Sequence, residues 1–131
     1  MEKLNRITIG GNEYPVKIDL NVLETIQDGY GTINGFERDL LGIRMLKDAE
    51  GNQLYEDDGS PRIEITEPSI RAIKLALPAM INEGLAIEAD ETGSRFVPIG
   101  EEQVFRMGGA DYETLAGMIH KEFKKCFDTK K

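Results

Sequence analysis

Residues 66–84, TEPSIRAIKLALPAMINEG, decide how the rest of the chain must fold. Ile70, Ile73, Leu77, Met80 and Ile81 recur at the spacing that puts them on one helical face, and Ala72, Ala76 and Ala79 leave room for a close neighbour. Thr66 is the expected N-cap, followed by Glu67 and Pro68 in a first turn where an acid suits the helix dipole and a missing N–H costs nothing. Gly84 is the expected terminator. Pro78 lies inside the run, where it removes the bond to the Lys74 carbonyl and crowds that turn. A kink is therefore predicted over 74–78, at a local cost of about 3 kcal/mol in a simple helix.

Upstream, residues 6–10 and 13–19 alternate apolar and polar, with Ile7 and Ile9 in the first run and Tyr14, Val16 and Ile18 in the second. Gly10-Gly11-Asn12 tolerates positive φ, so the pair reads as a β-hairpin. Pro15 withholds a ladder donor and belongs on an edge with its nitrogen turned outward. Asp19 or Asn21 opens a helix, Asn21-Val22-Leu23-Glu24 having the form of a capping box. Its apolar stripe, Leu23, Ile26 and Tyr30, ends at Gly29 and Gly31. A second short helix is predicted over 35–41, capped from Thr32 or Asn34, with Phe36, Leu40 and Leu41 inward. Residues 43–65 are the least regular part. Two turn clusters, Glu50-Gly51-Asn52 and Asp57-Asp58-Gly59-Ser60-Pro61, punctuate them, so 43–62 is expected to be a flexible, solvated excursion with at most a weak strand pair.

Downstream, residues 85–89 and 95–99 read as a second hairpin around Glu91-Thr92-Gly93-Ser94. Residues 100–107 suggest a short helix or turn before Gly108-Gly109. Asp111 then caps a final amphipathic helix with the stripe Leu115, Met118, Ile119, Phe123, Cys126 and Phe127, and the terminal lysines, Lys121, Lys124, Lys125, Lys130 and Lys131, suit its C-terminal dipole. The expected fold is α+β: one mostly helical domain over 1–131, with about four helices, an N-terminal β-hairpin and a second small hairpin.

Composition narrows the chemistry. The 131 residues suffice for one core. With 24 acids against 16 bases the net charge is −8, which argues against a phosphate-backbone binder needing clustered Lys and Arg. A single cysteine forms no internal disulfide, the first residues show no leader pattern, and no apolar run approaches a membrane span. A cytoplasmic protein with no membrane partner is expected.

His120 and Cys126 are the only histidine and cysteine. Six helical steps separate them by about 120° around the axis, so they do not meet on one helix. That argues against Cys–His catalysis, histidine-based triads and His/Cys zinc sites, and His120 reads as a boundary residue, Cys126 as apolar filler. A calcium loop fails too: with its invariant glycine on Gly51 or Gly59, the first ligand position falls on Leu46 or Leu54. Gly10-Gly11 and Gly108-Gly109 fit no phosphate loop. No cofactor and no metal are expected. Met118, Phe123 and Phe127 have two readings: core if the last helix is docked, a partner-binding face if it is partly uncovered.

Three stretches carry a resemblance: ITIGGNEYPVKIDLNVLETIQDGYGTI (7–33), EITEPSIRAIKLALPAMINEGL (64–85) and YETLAGMIHKEFKKCF (112–127). Their order is a hairpin with Tyr-Pro, a helix ending at glycine after an aromatic, a helix ending Asn-acid-Gly, and a terminal amphipathic helix. It resembles the tail assembly chaperones of long-tailed phages and prophages of Gram-positive bacteria. The resemblance implies a non-enzymatic role in the host cytoplasm: coating the tape-measure protein, recruiting tail-tube subunits to it, and leaving before the virion is finished. Helices 68–83 and 111–127 are then expected to form part of a groove for a partner helix. Two other classes fit the composition, an acidic protein that mimics nucleic acid and a small carboxylate-dependent hydrolase. The first needs acids spaced along one surface, the second a deep pocket with convergent acids and a raised pKa.

Overall fold

The alternating N-terminal residues form the hairpin that their pattern suggests, and a long helix then gathers the remaining elements. A computed structural model describes residues 3–107 and 111–128; Gly108, Gly109, Lys130 and Lys131 lie outside the described residues. In chain order the elements are β1 (Asn5–Ile9), β2 (Asn12–Val16), α1 (Leu20–Tyr30), α2 (Ile33–Leu40), β3 (Ile43–Met45), β4 (Ile63–Ile65), α3 (Ile70–Thr92), α4 (Glu101–Phe105) and α5 (Tyr112–Cys126). The architecture is α+β, with five helices among the described residues and two antiparallel hairpins, β1–β2 and β3–β4.

β1 and β2 pair with Ile7 opposite Tyr14, and Gly10 and Gly11 take positive φ at the turn. Pro15 sits on the outward register, but that edge is covered by α3 and not by water. Two residues further along, the Lys17 N–H donates to the Met80 carbonyl at 3.1 Å, so the Pro15 nitrogen on the same register faces the helix and needs no strand partner.

Asp19 caps α1, its Oδ1 accepting from the Val22 N–H at 3.2 Å. Asn21 is inside the helix and donates to Glu83, so the capping box expected from it does not form. Thr32 caps α2, which starts two residues before the predicted 35–41 helix and buries Phe36 and Leu40 completely.

α3 departs from expectation at both ends. Its cap is Ser69, whose Oγ accepts from the Ala72 N–H at 3.2 Å, while the Thr66 hydroxyl donates to the Gly42 carbonyl at 2.9 Å and closes the β3–β4 ribbon. Gly84 does not end the helix. A Cβ there would sit 2.3 Å from the Pro15 carbonyl oxygen, so this glycine lets β2 cross the helix at backbone contact. Termination falls to Gly93, at φ 70°, whose N–H reaches the Ala89 carbonyl. Residues 85–89 are therefore helical and the predicted 85–99 hairpin does not exist. Ala86, Glu88, Ala89 and Glu91 are good helix formers, and they continue a helix that Gly84 leaves intact. Pro78 is buried within α3, which runs through it uninterrupted.

The second hairpin lies in the irregular stretch instead. Ile43 opposes Ile65 and Met45 opposes Ile63, and isolated bridges then join Lys47 to Gln53 and Tyr55 to Pro61. Three chain segments meet where Leu46 N–H donates to Arg62 O at 2.9 Å, Leu54 N–H to Leu46 O at 3.0 Å, and Arg62 N–H to Leu54 O at 2.9 Å. The Gln53 amide nitrogen lies 3.0 Å from Leu46 O and 2.7 Å from Leu54 O, plugging the junction. None of residues 43–65 is buried. Polar bonds hold this arm together.

The core lies between α3 and everything packed against it, with Ile26, Phe36, Leu40, Met80, Ile81 and Ile119 fully enclosed. Asp111 caps α5 through the Glu113 N–H at 3.1 Å, and Leu115, Ala116, Ile119 and Phe123 of that helix face inward.

Candidate functional site

The final helix packs against α2, and a trough opens between them beside Leu23 of α1. An aromatic chain runs through it: Tyr30 to Phe36 at 5.8 Å between ring centroids, Phe36 to Phe123 at 5.7 Å, and Phe123 to Phe127 at 5.1 Å. Tyr30 is partly buried, Phe36 and Phe123 are internal, and the last ring emerges: Phe123 is 3% exposed and Phe127 52%. Phe123 and Phe127, with Leu23 and Ile33, line an open groove of about 590 Å³, edged by Asn34, Glu37 and Lys124. His120 closes one side, 2.9 Å from the Glu37 carboxylate and stacked on Phe123. The lone histidine thus joins α5 to α2.

Of the three aromatic and thioether candidates on α5, the structure brings Phe123 and Phe127 to one groove, as floor and lip. Met118 faces a separate cavity of about 150 Å³ beside Arg6, Val16 and Met80. Between α3 and α5, where residues 68–83 and 111–127 were expected to form a groove, the two helices touch directly and α4 lines the space that remains beside them. Val104 of α4 is buried there, Phe105 lies under the Lys74 ammonium at 4.5 Å, and about 220 Å³ remains. The open groove belongs to α5 with α1 and α2.

Ionisable groups interact with one another at several places outside the groove. Glu83 and Asp19 share a hydrogen bond, which together with burial raises the Glu83 pKa. Asn21 opposes this by donating to the same carboxylate at 3.1 Å. Cys126 faces Lys17, Asp19 and Leu20 across a cavity of about 420 Å³, and burial first, then the Asp19 charge, raise its thiol pKa. A thiol held above its ordinary pKa is a poor nucleophile at neutral pH. Asp48 and Asp58 accept bonds within their own turns, which lower their pKa values, chiefly the Asn52 N–H for Asp48 and the Ser60 hydroxyl for Asp58. Glu122, 5% exposed, accepts from the Asn5 amide. Among the described residues, no group of three or more His, Cys, Asp or Glu is placed to hold a metal ion.

No family model matches the chain, and no curated protein and no solved structure matches it.

Sequence reasoning found the α5 contribution to the groove and missed its other wall. Leu23 was legible only as a core residue, and Ile33, the first residue of α2, gives no periodic signal because the helix has just begun. The Asp19–Glu83 pair was invisible for a different reason: the two residues are far apart in sequence and meet only because α1 packs on α3. Chemically, the groove can bury apolar side chains offered by another chain, with Glu37 and Lys124 available to fix orientation at its rim.

Proposed function

We propose that this protein is a non-enzymatic tail assembly chaperone of a long-tailed phage or prophage. In this reading it holds an apolar helical stretch of the tape-measure protein and brings tail-tube subunits to it. It works in the bacterial cytoplasm and is absent from the finished virion. The observation that carries the reading is the groove between α5, α1 and α2, with Phe127 half-exposed at its lip. A partner helix offering side chains at i, i+3 and i+4 fits a trough of this kind. The order of sequence blocks in 7–33, 64–85 and 112–127 supplies the choice of partner, and the net charge of −8 supports the solubility that a carrier of apolar cargo needs.

Co-expression with the tape-measure protein of the same phage tests it. The wild-type chain is expected to keep that protein soluble and to co-elute with it in gel filtration. Phe127→Asp removes the lip without entering the core and is expected to cut the soluble yield several-fold. A tape-measure protein equally soluble without this chain, or equally well held by the variant, overturns the proposal.

A further inference from the structure

The arm carries a second surface, independent of the groove and of the chaperone reading. A two-stranded ribbon leaves both of its outer edges open, and the hydrogen-bond phase shows which groups of β3 point out. Gly42 O accepts from Thr66 N–H at 2.6 Å and Leu46 N–H donates to Arg62 O at 2.9 Å. By alternation Arg44 is the residue bonded to β4 between them, so the N–H and C=O groups of Ile43 and Met45 turn away from β4. No backbone bond from another element reaches them among the described residues.

Along that edge opens a trench of about 650 Å³ lined by Arg38, Arg44 and Lys47. None of these side chains has an ion pair or hydrogen bond among the described residues. By contrast, Arg6, Arg62 and Arg106 pair with glutamates, and Arg71 and Lys74 lie over aromatic rings. The acids lining the trench are Asp39, which accepts from the Tyr30 hydroxyl, and Glu67, which lies against the Tyr112 hydroxyl. Glu64 stands across the ladder from Arg44. In a chain of net charge −8, three cations without an ion-pair partner line one open strand edge and outnumber the two carboxylates that line it with them.

We propose that the β3 edge and its cationic trench receive an extended, acidic segment of a partner protein as a third strand. The ribbon has an apolar face, Ile43, Met45, Ile63 and Ile65, with Ile65 70% exposed, and a charged face carrying Arg44. An added strand continues both faces only if apolar and acidic residues alternate along it. A second copy of this chain is disfavoured, because symmetric β3–β3 pairing centred on Arg44 opposes two arginines. Nucleic acid is disfavoured as well: its backbone has no amides or carbonyls to match the free groups of Ile43 and Met45, and the chain's overall charge repels it.

The full chain, labelled with ¹⁵N, is titrated with the peptide acetyl-(Val-Glu)₄-amide. Amide shifts are expected at Arg38 and over 42–47, with slowed hydrogen exchange at Ile43 and Met45. Reversing two charges, Arg44→Glu with Lys47→Glu, is expected to weaken binding about tenfold or more while core amides stay unshifted. An N-methylated version of the peptide, unable to donate along its backbone, is expected to lose binding. The proposal is overturned by no response at millimolar peptide, by equal binding of acetyl-(Val-Lys)₄-amide, or by the same response to inorganic phosphate alone. Self-association through this edge without peptide overturns it too.

Discussion

The long helix α3 and the arm between β3 and β4 are neighbours in sequence and opposites in what holds them. α3 is fixed by apolar contact: Ala72, Ala76, Met80 and Ile81 are fully enclosed, and β2 crosses it at Gly84 with backbone touching backbone. The arm buries no residue between 43 and 65 and is held by peptide groups bonding to one another around the Gln53 amide. Burial rewards a periodic pattern, which a sequence displays. A junction of carbonyls and amides is indifferent to side-chain type almost everywhere, and so leaves little trace.

If that contrast is sound, its largest consequence is at Phe36, at the meeting point of the aromatic chain. Phe36→Ala is expected to cost about 3–5 kcal/mol and to lower the single melting transition of the whole chain. A loss under about 1 kcal/mol would show that the core is not organised around this ring. Next is Gly84→Ala. In a free helix alanine is favoured by about 1 kcal/mol, yet here the new Cβ meets the Pro15 carbonyl, and a net loss of about 1–3 kcal/mol is expected in chemical denaturation. A stabilised variant would mean that the β2–α3 crossing is loose.

Gln53→Ala sharpens the other half of the comparison. Amide exchange over 46–62 is expected to accelerate while global stability changes by no more than about 1 kcal/mol, since the lost bonds are local. A matching fall in the global melting point would tie the arm to the core. The smallest effect concerns Glu83. Its pKa is raised in the folded state, chiefly by the hydrogen bond with Asp19, so the folded chain holds that proton more tightly than the unfolded one. Stability from this group is present at low pH and is lost as pH rises through the raised value. Glu83→Gln is expected to add about 0.5 kcal/mol or less at neutral pH, given solvent screening, and to flatten the melting profile over the weakly acid range. Unchanged pH dependence would contradict the shared proton.

What the sequence disclosed follows the same line. The N-terminal hairpin, α1, α2, α5 and the body of α3 were legible because apolar period and capping residues agree there. Glycine misled: Gly84 and Gly93 look alike in sequence, but one permits a close crossing and the other a left-handed cap, and only the packing of Pro15 distinguishes them. Taking Gly84 for a terminator turned 85–89 into a strand and created a hairpin that does not exist. In the candidate groove Phe127 and Phe123 could be named from the α5 stripe, whereas Ile33 could not. That α4 lines the space left beside α3 and α5 depends on Val104 and Phe105 reaching into it from a five-residue helix too short to show a period.

The most direct measurement is hydrogen exchange, followed by mass spectrometry, of the intact chain with and without a helical fragment of the tape-measure protein. The expected result is new protection over 20–37 and 120–127, where α1, α2 and α5 frame the groove, with α4 and its surroundings unchanged. Absence of any new protection, or protection confined to residues away from that groove, would contradict the account.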